Sequence, residues 1–283
     1  REKRVPLILP VTGHPKHLVI VGGGPAGITC ALTASRRGHQ VTLLEKEPVL
    51  TGKLNIACHG EHKADLRRFR DYLLTQLRKS SVTVHTGVLA DTDVVRDLKP
   101  DALVIAVGAT PSRIPLPGVD GDNCIQISEF LQSPDTSLQH YIIIGGGSVG
   151  CETALDLAEK GKDVSIIEMA DCLASASNDL YRLALSEHFA RYDNLHTYLN
   201  SACQSIDADG VNVLTNGAST HISGDKVLLS LGFRPDAKQV SSLYGIVPDT
   251  YYVGDCERVA TVAETVNNAY FIGANVFQEQ DII

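Results

Sequence analysis

The sequence has no tryptophan, a single methionine, 5% aromatic residues and no surplus of positive charge. Its 25 Lys and Arg stand against 33 Asp and Glu, a formal charge of -8. No global basic field exists to hold nucleic acid or an anionic membrane, and neither is expected as a partner. No two of the seven cysteines, at 30, 58, 124, 151, 172, 203 and 256, are spaced as C-x-x-C or clustered for a metal. An odd, scattered set of thiols fits a reducing, cytoplasmic setting. The start Arg1-Glu2-Lys3-Arg4 is basic, yet Val5 to Val11 carries two prolines and no small-residue cleavage site follows, which argues against a signal peptide. The first residue is not Met, so the chain is expected to be a piece of something longer or to have been processed.

What is present is glycine. A length of 283 residues, 43% hydrophobic with 24 glycines, reads as a glycine-punctuated α/β protein of about two domains. The uncharged stretch from Leu18 to Ser35 has the length of a membrane span. Gly22-Gly23-Gly24-Pro25 in its middle instead marks a turn between strand and helix. The same pattern recurs: His17 to Gly27 (HLVIVGGGPAG) is matched by His140 to Gly150 (HYIIIGGGSVG) at an offset of 123 residues. At that offset Ala31 and Leu32 pair with Ala154 and Leu155, Gly38 with Gly161, Val41 with Val164 and Glu45 with Glu168. Further on, Val104 to Pro111 (VIAVGATP) resembles Leu228 to Pro235 (LLSLGFRP).

Each copy reads as a short apolar strand, glycines, an apolar-periodic helix closed by Gly38 or Gly161, and a second strand ending in Glu, a βαβ unit with a parallel sheet. In G-x-G-x-x-G the first glycine permits a tight turn, the second lets a pyrophosphate approach the backbone, and the third allows close packing of helix on strand. The helix start offers free N–H groups and partial positive charge to phosphates. An acidic residue 18 positions past the last glycine of each copy, Glu45 or Glu168, suits a ribose hydroxyl.

These fingerprints, with Glu45, Ala106-Val107-Gly108, Gly232 and Tyr252-Val253-Gly254-Asp255, resemble the flavoproteins with two dinucleotide-binding domains. Residues 52–57 (GKLNIA), 68–73 (RFRDYL), 99–102 (KPDA) and 150–154 (GCETA) resemble the C-terminal half of the group that includes 2,4-dienoyl-CoA reductase, trimethylamine dehydrogenase and bile-acid-inducible NADH:flavin oxidoreductase. The resemblance implies an α/β fold of two doubly wound Rossmann-like domains, the second inserted in the first. An FAD-binding domain is expected over 1–113 and 236–283, and an NAD(H)-binding domain over 114–235, each with a small β-meander before its last strand. Pro111, Pro115, Pro117-Gly118 and Phe233-Arg234-Pro235 mark the crossings. Members of the group carry an N-terminal barrel with FMN and an iron–sulfur cluster, for which this chain has no room, and Val5 to His17 reads as the linker leaving such a barrel.

The resemblance also implies roles. Gly22, Gly24 and Gly27, with Pro25 and Ala26, would hold the FAD pyrophosphate, and Glu45, followed by Lys46, the adenosine ribose. Val88 would meet the adenine through its backbone. Ala106, Val107 and Gly108 would pass close to the cofactor, and Gly254 and Asp255 would serve its ribityl or pyrophosphate region. A helix from about Val262 to Gly273 would aim its N-terminus at the flavin ring. Lys53 and Leu54 stand beside FAD in a departure, Thr51-Gly52-Lys53 where the group commonly has Gly-Gly-Gln. In the second copy Gly145, Gly147 and Gly150, with Ser148 and Val149, would bind the nicotinamide dinucleotide, and Gly232 would close the site. Glu168, followed by Met169 and Ala170, would repel a 2′-phosphate and favour NADH. The implied activity is an NADH:flavin oxidoreductase without a catalytic side chain, delivering electrons to another redox centre. The alternative is a structural module with ADP in place of FAD, as in trimethylamine-dehydrogenase-like relatives.

Rival readings attach to the same residues. Gly146 to Gly150 also matches the G-x-S-x-G elbow of hydrolases, but Ser148 aligns with Pro25, which cannot be a nucleophile. Cys58, His59 and His62 resemble a metal site without a fourth ligand. The charged run Glu61 to Arg70, with Leu66, Phe69, Leu73, Leu74 and Leu77 at helical spacing, reads as an amphipathic helix with a secondary docking role. Thioredoxin reductase and lipoamide dehydrogenase relatives relay electrons through a dithiol, for which no motif is present, and Cys256 is expected to be a small packed residue.

Overall fold

A computed structural model describes residues 9–60 and 63–277. Arg1 to Ile8, which include the first part of the expected linker, and Glu61 and His62 of the two sequence motifs above lie outside the described residues. In chain order the elements are β1 (His17–Val21), α1 (Pro25–Arg36), β2 (Gln40–Glu45), α2 (Leu54–Ala57), α3 (Ala64–Arg78), β3 (Thr83–Thr86), α4 (Thr92–Asp97), β4 (Ala102–Ile105) and β5 (Ala109–Pro111). Then follow β6 (Cys124–Gln126), α5 (Ile127–Gln132), β7 (His140–Ile144), α6 (Ser148–Glu159), β8 (Asp163–Ile167), α7 (Asp179–Phe189), β9 (Leu195–Tyr198), β10 (Ser201–Asp207), β11 (Gly210–Thr215), β12 (Ala218–Ser223) and β13 (Lys226–Leu229). The chain ends with β14 (Phe233–Pro235), α8 (Ala237–Leu243), β15 (Thr250–Tyr252), a 3-10 turn (Gly254–Cys256) and α9 (Val262–Asn275).

Two compact units result. One comprises the chain up to Thr110 and again from Phe233, and the other is Pro111–Gly232. The first unit is built on a five-stranded parallel sheet in the order β15-β4-β1-β2-β3. Strand alternation sends Leu18 and Ile20 to a core shared with Ile28, Ala31, Leu73, Leu77 and Ala269 of the helices on one face. Val19 and Val21 go to the other face, with Val95 of α4 and Leu243 of α8. All four strand residues are buried, as expected of a parallel strand covered on both sides.

The second unit has its own five-stranded parallel sheet, β6-β13-β7-β8-β9. Tyr141 and Ile143 of β7 face a core with Cys151, Ala154 and Leu157 of α6 and Leu185 of α7. Ile142 and Ile144 face Val211, Val213 and Ile222 of an antiparallel sheet, β10-β11-β12, which covers the other side in place of helices. That meander occurs only in the second unit among the described residues, so the expectation of one in each copy is corrected. In the first copy the chain between Val88 and Val104 is shorter, and Asp91 nucleates α4 instead, its carboxylate accepting from Asp93 N and Val94 N. The uncharged stretch Leu18 to Ser35 is β1, the turn and α1. Among the described residues no helix is long and apolar enough to cross a membrane.

Candidate functional site

The turn from β1 into α1 shows why each glycine is there. A Cβ on Gly22 would run into the Ala106 carbonyl at the end of β4, and one on Gly27 into the Gly22 carbonyl. Both are packing requirements of strand, turn and helix. Gly24 differs, because a Cβ there would meet nothing within 4 Å, so its missing side chain leaves an open cradle. Pro25 occupies the first turn of α1, and neither α1 nor α6 has a side-chain cap, whereas α4, α7, α8 and α9 are capped by Asp91, Asn178, Asp236 and Thr261. An open, uncapped helix start with no side chain over it fits a diphosphate.

Glu45, buried at the end of β2, accepts from Gly23 N at 2.6 Å through one oxygen and from Glu47 N at 2.8 Å through the other. The carboxylate is thereby fixed beside the cradle with lone pairs left for a ligand hydroxyl. The neighbouring loop is tied in as well. Thr51, buried with a φ of 75°, donates its N–H to Gly23 O at 2.7 Å, and Leu50 packs where a Cβ on Gly23 would sit, 2.6 Å from Leu50 Cδ2. Lys46 is exposed, and Leu54 is buried in the core. Val88 N donates to Glu45 O at 2.9 Å, so any adenine contact from Val88 runs through its carbonyl or side chain and not through its N–H.

The second unit repeats this geometry bond for bond. Cβ atoms on Gly145 and Gly150 would run into the Ser230 and Gly145 carbonyls, and Gly147 is open. Glu168 accepts from Gly146 N at 2.6 Å and from Ala170 N at 2.8 Å. Leu173 takes the place of Leu50, and Ala174, with a φ of 48°, donates its N–H to Gly146 O at 2.8 Å as Thr51 does to Gly23. Gly108 and Gly232 share φ values of 77° and 75° after their strands, each with open space at the Cβ position. Met169 beside Glu168 is 76% exposed.

Other candidates sort by their partners. Ser148, beside Val149 at the start of α6, is hydrogen-bonded to Ser177 at 2.9 Å, where a hydrolase would need a histidine. Cys58 is buried in the first core, which raises its thiol pKa, while His59 is exposed. Cys256 is buried with Sγ against the Ile105 and Val253 carbonyls at 3.1 and 3.2 Å, and burial raises its pKa too. Cys30 and Cys151 are fully buried, their thiols pushed up to about 12 by desolvation. The seven cysteines are free thiols. The charged motif forms α3, with Leu73 and Leu77 buried.

Three residues from distant parts of the first unit meet, two of which, Lys53 and Asp255, the resemblance sets at one cofactor without pairing them. Lys53 Nζ lies 2.6 Å from Asp255 Oδ2 and 4.2 Å from the centre of the Phe233 ring. Asp255 also accepts from Ala260 N at 3.3 Å, just ahead of the N-terminus of α9. There Thr261 and Glu264 form a reciprocal capping box.

Comparison with known proteins places this geometry. The sequence profile described as pyridine nucleotide-disulphide oxidoreductase matches residues 16–273. The chain is 33% identical over 263 residues to an NADH oxidase of Thermoanaerobacter brockii, covering 90% of this chain and 40% of that protein. It is 32% identical over 262 residues to a bilirubin reductase of Mediterraneibacter gnavus, covering 92% and 41%. A solved 2-naphthoyl-CoA reductase superposes with a TM-score of 0.88 at 27% identity, over 95% of this chain and 41% of the other. A thioredoxin reductase of Lactococcus lactis shares the fold, with a TM-score of 0.72 at 19% identity, over 92% of this chain and 96% of its own. The chain spans about two fifths of the length of the curated relatives named here. These relatives bear out the kinship with the reductase group that the motifs resemble. Because the match runs through both glycine cradles, the chain belongs to the pyridine nucleotide-disulphide oxidoreductase family and is an oxidoreductase of the FAD- and NAD(H)-binding kind.

Proposed function

We propose that the first unit binds FAD and the second NADH, and that the chain passes reducing equivalents from NADH through FAD to a further redox centre of a larger, enoate-reductase-like enzyme. The boundaries of the FAD-binding domain are 1–113 and 236–283, with the NAD(H)-binding domain at 114–235. The observation that carries this reading is the duplicated cradle: an open glycine, an uncapped helix start and a fixed glutamate, built twice by the same bonds. When bound, FAD and NADH supply hydride transfer between nicotinamide and flavin, and the protein holds and tunes them.

The residues of the chain do the holding. Gly22, Gly24, Pro25, Ala26 and Gly27 present backbone to the FAD diphosphate, and Glu45 accepts from the adenosine ribose. Ala106, Val107 and Gly108 run beside the cofactor, and Gly254 and Asp255 serve the end nearer the flavin. In the second unit Gly145, Gly147, Ser148, Val149 and Gly150 cradle the coenzyme diphosphate, with Gly232 at the strand end. Glu168 accepts from the ribose and repels a 2′-phosphate. The hydride step needs no general acid or base, so no side chain is assigned to it. With no C-x-x-C or C-x-x-x-x-C pair among the seven cysteines, the electrons leave by a route other than a dithiol of this chain.

The partner that fits the greater length of the relatives is a barrel domain with FMN and an iron–sulfur cluster, in the cytoplasm. The test is a visible spectrum of the purified chain, repeated anaerobically with NADH. A flavin spectrum that bleaches with NADH, and more slowly with NADPH, is expected. A colourless protein that cannot be reconstituted with FAD and releases ADP on denaturation would make the first unit a structural nucleotide module instead.

A further inference from the structure

We propose that the Ser148 hydroxyl donates to the coenzyme's diphosphate and that Ser177 is the positioning residue that aims it there. The proposal rests on reading the second unit as the NADH site, and adds to that site a side-chain donor and the loop residue that orients it.

Backbone bonds place both residues. Ser148 is the first residue of α6, directly after Gly147, and the helix start has no side-chain cap, so its first N–H groups are open to an anion. The loop after β8 is tied to this start: Ala174 N donates to Gly146 O at 2.8 Å, and Ser177 N donates to Ala174 O at 2.8 Å. That turn brings Ser177 Oγ to 2.9 Å from Ser148 Oγ. One turn further along the same face of α6, Glu152 accepts from the Tyr181 hydroxyl at 3.0 Å, which pins the start of α7 beside the loop. Two serine hydroxyls bring two protons, and the bond between them spends one. When Ser177 donates, the Ser148 proton is left for another acceptor. The Tyr181 oxygen is a neutral competitor for that proton, and a diphosphate oxygen, being anionic, is the stronger acceptor. A chain from Ser177 through Ser148 to phosphate also polarises each bond in the direction of the next.

The first cradle shows that the fold does not require these hydroxyls. There Thr51 N donates to Gly23 O and Leu54 N to Thr51 O, the same two bonds that place Ala174 and Ser177. At the 123-residue offset Pro25 stands for Ser148 and Leu54 for Ser177, two side chains that cannot hydrogen-bond, and Leu54 packs into the core. The same helix start and the same loop turn are thus built from apolar residues. The serine pair belongs to the second site and not to the shared architecture.

The test is a calorimetric titration of ADP-ribose, which carries the diphosphate and no redox-active ring, into the 283-residue chain saturated with FAD. S148A should raise Kd about tenfold, through the lost bond to a charged acceptor. S177A should raise it about threefold in the wild-type background and by less than about 1.5-fold in an S148A background, because Ser177 acts only through Ser148. S177T keeps a hydroxyl and should bind within about twofold of wild type, whereas S177V, of nearly the same shape, should show the S177A loss. A merely structural role for Ser177 would make S177T and S177V alike and would persist in the S148A background. Thermal midpoints of the variants report folding; if neither S177A nor S177V folds, S177C, whose thiol is a weak donor, takes their place. Equal S177A penalties in both backgrounds, no penalty for S148A, or equal binding by S177T and S177V overturns the proposal and leaves the coenzyme site standing. A wild-type chain that binds no ADP-ribose overturns the reading of the second unit and the proposal together.

Discussion

Within the first fingerprint, neighbouring glycines answer to different forces, and substitution separates them. Gly24 has a φ of -74°, accessible to any residue, and open space at its Cβ position. Gly24→Ala should therefore fold with stability within about 1 kcal/mol of wild type while weakening FAD binding at least about tenfold, because the new methyl occupies the face presented to the diphosphate. Gly27→Ala sets a methyl against the Gly22 carbonyl, a backbone group that cannot swing aside, and should cost roughly 1–3 kcal/mol or more of stability. Urea unfolding and FAD titration of the pair check both outcomes, and equal stability losses would remove the distinction. Glu168→Ala should narrow the preference for NADH over NADPH about tenfold, through lost 2′-phosphate repulsion, measured as the ratio of dissociation constants; an unchanged ratio would end that role for Glu168. The glycines and both glutamates were legible in the sequence because local chain geometry demands them. The bonds from Glu45 and Glu168 to Gly23 and Gly146 were not read, although Leu50 and Leu173 share the 123-residue offset and could have pointed to the loop that both copies build. The resemblance set Lys53 and Asp255 at one cofactor, but their direct pairing was beyond sequence, since 202 positions separate them and only the fold brings them together.

At the level of elements, α9 lies on α1 because both helices offer small residues there. A Cβ on Gly273 would come within 2.6 Å of the Cys30 carbonyl oxygen and 2.9 Å of Thr33 Cβ. Gly273→Ala should push the helices apart and lower the stability of the first unit by about 1–3 kcal/mol, seen as a lower thermal midpoint with NADH affinity unchanged on the proposed reading. Between α1 and β2 sits His39, 4% exposed, its ring 5.0 Å from that of Phe277. Burial first, then the Arg37 and Lys16 charges, lower its pKa below the ordinary 6.5. The folded state thus disfavours the imidazolium. Stability from this group is fully present above pH 6.5 and is lost as pH falls through the lowered value. Denaturant midpoints compared between about pH 7.5 and about pH 5.5, either side of the ordinary histidine range, should fall further for wild type than for H39Q, and parallel behaviour would count against it. The opening strand, nucleotide helix and following strand of each copy followed from periodicity and glycine punctuation, and α9 from the family resemblance. The missing meander of the first copy did not, because a resemblance between copies cannot report where one of them has been shortened.

For the molecule as a whole, burial takes the two core thiols out of exchange chemistry. Cys30 and Cys151, pushed up to about 12 by burial, are predominantly neutral thiols at physiological pH. Brief iodoacetamide treatment of the native chain at about pH 8, near the ordinary thiol pKa, should leave both unlabelled in peptide mass spectrometry, with labelling after denaturation; rapid native labelling of either would contradict their burial. The two-unit plan was legible from the internal repeat, whereas the different cover on the second sheet, strands in place of helices, needed three-dimensional structure. The interruption of the first unit by the second also has a bearing on biogenesis. β15, which completes the edge of the first sheet, and α9, which covers α1, are made after Gly232. On the ribosome the inserted unit is therefore complete while its host still exposes the flank of β4 and the small-residue face of α1, so vectorial synthesis leaves the earlier-begun unit to mature last.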